Sequence, residues 1–356
     1  MPKRTESRNQ GLDLLRVVAC YMVLQVHAGE FYYIAQGGTV AAGDGPAAVG
    51  WLNSLLRSSV PLFVMLSGFF LLPVRGGLRD FFSRRLVRVG VPFVVWCVLY
   101  ALYFWLRGQS DFGGALLAVC RIPVNFGVEV GHLWFVYMLL GLYLFAPVVS
   151  PWLETASRRA MEAYLCLWGA TLLVPYAHLL FPQLLGECYW NDTPMLYYFS
   201  GFLGYMVLAV YLRRYFPHPG VRQRRIGLSL AVAGYAVTAG VFRWRLESVG
   251  TVPELELSWG FGTLNVAMMA AGLFLLFRDV RLGTGRVART VADLSELSYG
   301  VYLVHIMLLN LFFDWLDPLV GPVAVKVPLI ACCTFVGSCA VVKLLSRLPG
   351  GRYVVG

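Results

Sequence analysis

Apolar runs of about 20 residues, the length a helix needs to cross a hydrocarbon core of about 30 Å, recur along the whole of this chain. They leave little choice of fold. Lipid offers the backbone no hydrogen-bonding partners, so each run must close its own bonds as a helix or join a barrel, and the alternation of barrel strands is absent. The expected fold is all-α, a polytopic integral membrane bundle of about ten transmembrane helices at roughly 11–34, 51–74, 89–107, 132–152, 161–181, 195–212, 226–242, 259–277, 297–316 and 327–345. Composition agrees, with 58% hydrophobic and 13% charged residues among 356, against about 25% charged in a soluble domain. The first run continues into the body without a small-residue cleavage site and so reads as a span. No soluble domain, low-complexity tract or repeat interrupts residues 1–356, which read as a single transmembrane domain.

Basic residues orient the bundle, because cytoplasmic loops are enriched in Lys and Arg. With both termini cytoplasmic, the inner segments hold Lys3, Arg4 and Arg8, the group from Arg75 to Arg88, Arg158 and Arg159, Arg213 to Arg225, Arg278 to Arg289, and Lys343 to Arg352. The opposite loops hold only Arg107, Arg121, Arg243, Arg245 and Lys326. The net charge of +10 is therefore a topology signal, and nucleic acid is not needed to explain it. Most of the eight cysteines lie inside spans, as small apolar residues. Cys120 and Cys188 fall in external loops, where an oxidising compartment would permit a disulfide. No CxxC pair and no His/Cys cluster with zinc spacing occurs, so no metal is expected.

The first span carries the most chemistry. GLDLLRVVACYMVLQVH sets Asp13, Arg16 and His27 in an apolar helix, where an Arg at mid-depth costs about 2.5–3.5 kcal/mol on insertion scales and so faces a partner or a wet cavity. Arg16 and His27 are eleven residues apart, close to three turns and about 16 Å of rise, which puts them on one face at two depths. Asp13 is spaced to pair with Arg16, and Glu30 to orient His27. The bland alternatives are a snorkelling Arg and an interfacial His.

Three further segments stand out. RDFFSRRLVRVGVP places Arg84, Arg85 and Arg88 at the cytoplasmic mouth of the third span, where forked guanidinium groups suit either anionic lipid or the phosphates of a nucleotide-like ligand. Glu129, His132 and Trp134 stand at the external start of the fourth span, where an aromatic belt is the plain reading and contact with a glycan the sharper one. LSYGVYLVH spaces Tyr299, Tyr302 and His305 three residues apart along one helix, supporting either hydrogen bonds across the bundle or catalysis.

Taken together, these segments resemble acyltransferase family three, the integral membrane O-acyltransferases of bacterial surface polysaccharides. The resemblance covers essentially the whole chain. It rests on Arg16, ten residues and His27 after GLDLLR, on SVPLFVMLSGFFLL, on Arg84 and Arg85 before RVGVPF, on HLWFVYMLLGLYLFAPVV and on LSYGVYLVH. The fourth-span pattern is most similar to the branch containing the enterobacterial common antigen O-acetyltransferase. The resemblance implies a multi-pass protein of the bacterial inner membrane. It implies acetyl-CoA or another acyl-CoA as co-substrate from the cytoplasmic side, and an envelope glycan or lipid-linked saccharide as acceptor. By the resemblance Arg16, Arg84 and Arg85 would hold the donor and His27 would be catalytic; the spacing adds Arg88 to the donor cluster and Glu30 beside His27 as the group that orients it. His27 would act either as general base or through an acyl-histidine, which the residues do not separate. Some relatives carry a fused extracytoplasmic hydrolase-like domain that is not found in this sequence.

Two other classes fit the same spans. A carrier or exporter also tolerates buried Arg and His, though no paired inverted repeats are visible. A membrane sensor or scaffold needs only the bland readings. Membrane lipid is a partner in every case, and a homo-oligomer is compatible with surfaces that look alike to lipid and to a second subunit.

Overall fold

The computed structural model of the protein describes residues 8–124, 128–183, 186–188, 191–218 and 220–356, with the backbone alone described at 128–130, 187–188 and 191–192. The chain is a helical membrane bundle, and its elements follow from where the apolar runs meet residues that cannot continue a helix. α1, Gln10–Tyr33, spans about 36 Å at 1.5 Å per residue. Its first turn is capped by Asn9, whose side chain accepts from Leu12 N at 3.0 Å, satisfying one of the orphan amides of a helix start. The second traverse is continuous from α2, Gly45–Ser54, through one 3₁₀ stretch at Leu55–Ser58 into α3, Ser59–Leu71. The tightened stretch lies just ahead of Pro61, which has no N–H to give the ladder.

α4, Leu78–Arg85, passes through a π-helical turn at Leu86–Gly90 into α5, Val91–Leu106. A short α6, Phe112–Cys120, precedes α7, Trp134–Thr155. α8, Arg158–Thr171, is interrupted before Pro175 and resumes as α9, Val174–Leu180. A hairpin of β1, Gly186–Cys188, and antiparallel β2, Asn191–Pro194, follows. Then come α10, Leu203–Tyr215, and α11, Val221–Leu246. α12, Val252–Leu255, and α13, Leu264–Phe277, belong to one run bent by 42° at residues 260–263. α14, Arg286–Leu316, α15, Val323–Leu345, and the short α16, Arg352–Val355, complete the order. Cys120 is a free, exposed thiol, and the Cys188 side chain is not described.

Among the described residues eight helices are long and apolar enough to cross a membrane, or nine with the bent pair counted as one span. The sixth of the ten expected runs, 195–212, is where the bundle departs from the sequence pattern. Helix forms there only over the thirteen residues of α10, about 20 Å at 1.5 Å per residue, short of a hydrocarbon core. Pro194, the left-handed Leu196 (φ 62°) and Gly201 (φ 88°) keep the preceding residues out of the helix. The last turn of α10 lies beside the ends of α3 and α13.

That end is held by arginines. Arg213 donates to the carbonyls of Phe69 and Leu72 at the end of α3. Arg214 donates to Leu153 and Ala156 at the end of α7. Arg278, at the end of α13, donates to Leu212, Phe216 and Pro217 at the end of α10. Helix C-termini leave four carbonyls without partners, and each guanidinium fork takes up two or more of them. Burial lowers the Arg278 pKa below its ordinary value.

α1 is the central helix, packed on α2, α3, α14 and α15. α11 and α13 touch backbone to backbone. A Cβ on Gly272 would lie 2.4 Å from Gly227 O, so only glycine allows this approach, as at other close helix crossings in lipid.

Candidate active site

Two adjoining cavities open into the bundle from the arginine-rich end. The outer one, about 1040 Å³, is lined by Arg8, Asp13, Arg16, Arg75, Arg85 and Arg213 among others. The inner one, about 310 Å³, shares Arg16, Phe70, Leu71 and Arg85 with it and continues past Arg88, Val23, Phe135, Tyr143 and Tyr299 to Tyr302. The basic mouth thus narrows into an aromatic and aliphatic channel running along α1 and α14.

Arg16 is fixed by a polar network where α1 crosses α14. Its Nη1 donates to Ser295 Oγ at 3.1 Å and lies 3.8 Å from Asp13 Oδ1. Ser295 donates to the same Asp13 oxygen at 2.7 Å. Asp13 is therefore shared, and its closer cationic partner is Arg8 at 2.5 Å. Arg8 also reaches Glu296 at 2.5 Å and the carbonyl of Ala292 at 2.7 Å. The Asp13 carboxylate raises the Arg8 pKa above its ordinary value. One face of the Arg16 guanidinium is covered by the Phe70 ring at 5.7 Å. These contacts leave a pre-set cation on the wall of both cavities, a geometry suited to phosphate oxygens.

The three arginines of the α4–α5 junction part company. Arg85 and Arg88, three residues apart, both line the inner cavity. Arg84 is 76% exposed, bonds back to its own turn through Asp80 and lines neither cavity.

His27 lies one turn beyond Val23, the deepest α1 residue on the cavity wall. Its Nδ1 is 3.0 Å from Glu30 Oε1, the contact that an i, i+3 spacing makes possible. The ring is 5.3 Å from that of His305 and 6.4 Å from that of His132, and those two are 5.1 Å apart. His305 Nδ1 lies 2.6 Å from the carbonyl of Tyr302. Tyr302, at the inner end of the cavity, donates its hydroxyl to the carbonyl of His132. The Nε2 atoms of His132 and His305 are buried without partners among the described residues. No group of three or more His, Cys, Asp or Glu converges as a metal site among those residues. Tyr299 lines the same wall and donates to Val89 O at 2.7 Å. Trp134 is turned away from the imidazoles and stacks on Phe261 at 5.6 Å. Glu129 lies on the turn before His132, with its side chain outside the described residues.

Residues 9–347 match the model of an acyltransferase domain, that of acyltransferase family three. The chain belongs to this family. It is a multi-pass membrane acyltransferase. No curated protein and no solved structure matches it.

Several members of the site carry no motif. Arg8, Ser295 and Glu296 were passed over, although Glu296 and Ser295 directly precede LSYGVYLVH. Outside the two cavities, Arg57 is a further charge that no motif marks. It is a buried cation inside the second traverse, donating to Tyr33 Oη and Glu256 Oε1 at 3.2 Å each, with its guanidinium 3.9 Å above the Trp259 ring. The rule that singled out Arg16, a charge within an apolar run, applies equally to Arg57.

Proposed function

We propose that this acyltransferase moves an acyl group, acetyl in the simplest case, from cytoplasmic acyl-CoA to a hydroxyl of an envelope glycan or lipid-linked saccharide at the bacterial inner membrane. The reading rests chiefly on one observation. A cavity lined by Arg16, Arg85 and Arg88 at its basic mouth runs inward to Tyr302, beside the imidazoles of His27, His132 and His305. The HLWFVYMLLGLYLFAPVV pattern favours O-acetyl transfer like that of the branch acting on enterobacterial common antigen.

In this reading the arginines hold the donor phosphates, and the thioester arm extends along α1 toward His27. With Nδ1–H donating to Glu30, His27 keeps a lone pair on Nε2. That nitrogen takes the proton of the acceptor hydroxyl as the oxygen attacks the thioester carbonyl. A C–O bond forms, the C–S bond breaks, and the departing thiolate takes the proton from the imidazolium. Glu30 stabilises the transient positive charge.

The test is transfer of label from radiolabelled acetyl-CoA in inverted membrane vesicles. Labelled envelope glycan supports the reading, and an unmodified glycan with every acyl-CoA tried ends it. Replacing Arg85 and Arg88 together by Ala is expected to raise donor KM about 10²-fold, as one or two charge-assisted hydrogen bonds are lost. Arg84→Ala should change it less than about threefold, because that side chain faces solvent. Equal effects from the two variants would disprove this donor placement.

A further inference from the structure

Residues 348–356 follow the stretch matched by the family model, yet they pack behind the wall of the inner cavity. Leu348 accepts from Gly351 N at 2.9 Å, and α16 then lies against α5 and α14. The indole of Trp96 donates to Val354 O at 2.8 Å. Val355 is buried over Gly300, where an added Cβ would stand 3.1 Å from Val355 Cβ and 2.7 Å from Val342 Cγ1. Gly356 is pressed to the wall itself. A Cβ there would lie 2.6 Å from Tyr299 Cδ1 and 3.1 Å from Arg88 O. Arg88, Val89 and Tyr299 all face the inner cavity from the other side.

This stretch of wall is the π turn Leu86–Gly90. π turns interrupt the regular helical ladder and recur at functional sites. It is supported from outside by the Tyr299 hydroxyl on Val89 O and by the segment behind Arg88.

We infer that Val354, Val355 and Gly356 are positioning residues for the donor, bracing Arg88 and Tyr299 from behind so that donor affinity depends on a segment beyond the family match. The inference rests on the donor reading of the cavity given above. None of these three residues touches the cavity, so the effect passes through the wall and falls on donor binding rather than on the chemical step.

The experiment compares the full chain with one ending at Leu348, in detergent, reading acetyl-CoA kinetics together with calorimetric binding of CoA. The expected result is a donor KM and a CoA Kd each raised about tenfold, the size of weakening one charge-assisted hydrogen bond. The kcat at saturating donor should stay within about twofold, since uniform binding alone is affected. The peptide PGGRYVVG supplied in trans should restore affinity, which ties the loss to the missing segment. An unchanged donor KM and Kd in the shortened protein overturns the inference, as does a loss confined to kcat. If the shortened chain fails to fold, Trp96→Phe removes the hydrogen bond to Val354 while keeping an aromatic ring in the core, and a CoA Kd raised about threefold with an unchanged melting temperature supports the inference while no change in Kd overturns it. A full chain that binds CoA in a segment-dependent way but labels no acceptor would end the transfer reading and leave this one standing. A full chain that binds no CoA ends both.

Discussion

His27→Ala is expected to lower kcat by about 10³-fold with the bundle intact, the usual scale for removing a positioned general base. The imidazole contributes ring contacts to His305 and His132, but its polar partner is Glu30, itself partly exposed. Removing it leaves a space near a tunnel and no buried charge without a partner. The melting temperature should therefore fall by only a few degrees. Turnover at saturating acetyl-CoA, measured on protein of matched expression and helical content, decides the matter. Activity within about threefold of the original would remove His27 from the chemistry. Restoration of the rate by added imidazole would strengthen its assignment as proton acceptor.

The second large effect concerns stability, at a buried cation packed against the C-terminal end of α1. Arg57→Ala should cost about 3 kcal/mol, in the range found when one member of a buried pair is removed. The substitution leaves Glu256 with Tyr33 as its remaining partner and strips the cation from the Trp259 face. It also isolates a stack in which Phe242 lies 4.0 Å over Trp259 and the Trp259 indole donates to Ser54 Oγ at 2.9 Å. Pairing the change with Glu256→Gln should recover much of the loss, because the uncompensated carboxylate is then gone. Thermal unfolding in detergent reads both variants. A melting temperature unchanged by Arg57→Ala would show that Glu256 is adequately solvated without its partner.

The fold was legible because its governing rule is coarse. Twenty apolar residues closed by charge or proline specify a helix whatever surrounds them, and nine of the ten expected runs coincide with long helices or a bent pair. The exception, 195–212, fails because hydropathy averages across Leu196 and Gly201, whose backbones are left-handed, and sees only their neighbours' apolar side chains. The site was legible wherever spacing on one helix governs contact. The i, i+3 distance brings Glu30 to His27, and the same spacing brings His305 Nδ1 to the Tyr302 carbonyl. What escaped depends on contacts between distant segments. Arg8 and Ser295 meet Asp13 from opposite sides, which gives Asp13 a nearer partner than the Arg16 that spacing alone supplies. Arg84 and Arg85 are split by the step of about 100° between neighbours on α4, but which of the two meets the cavity depends on how the rest of the bundle places that helix.

The arginines that close the ends of α3, α7 and α10 serve the protein twice, at two different times. During insertion only their charge matters, since it decides which side of the membrane a loop remains on. After assembly their shape matters, because a planar fork can bridge two carbonyls that a single ammonium cannot. An Arg-to-Lys exchange at 213, 214 or 278 would thus preserve the instruction for threading the chain while weakening the finished bundle. Selection on biogenesis and selection on the mature protein are separable at these three positions, and both converge on arginine.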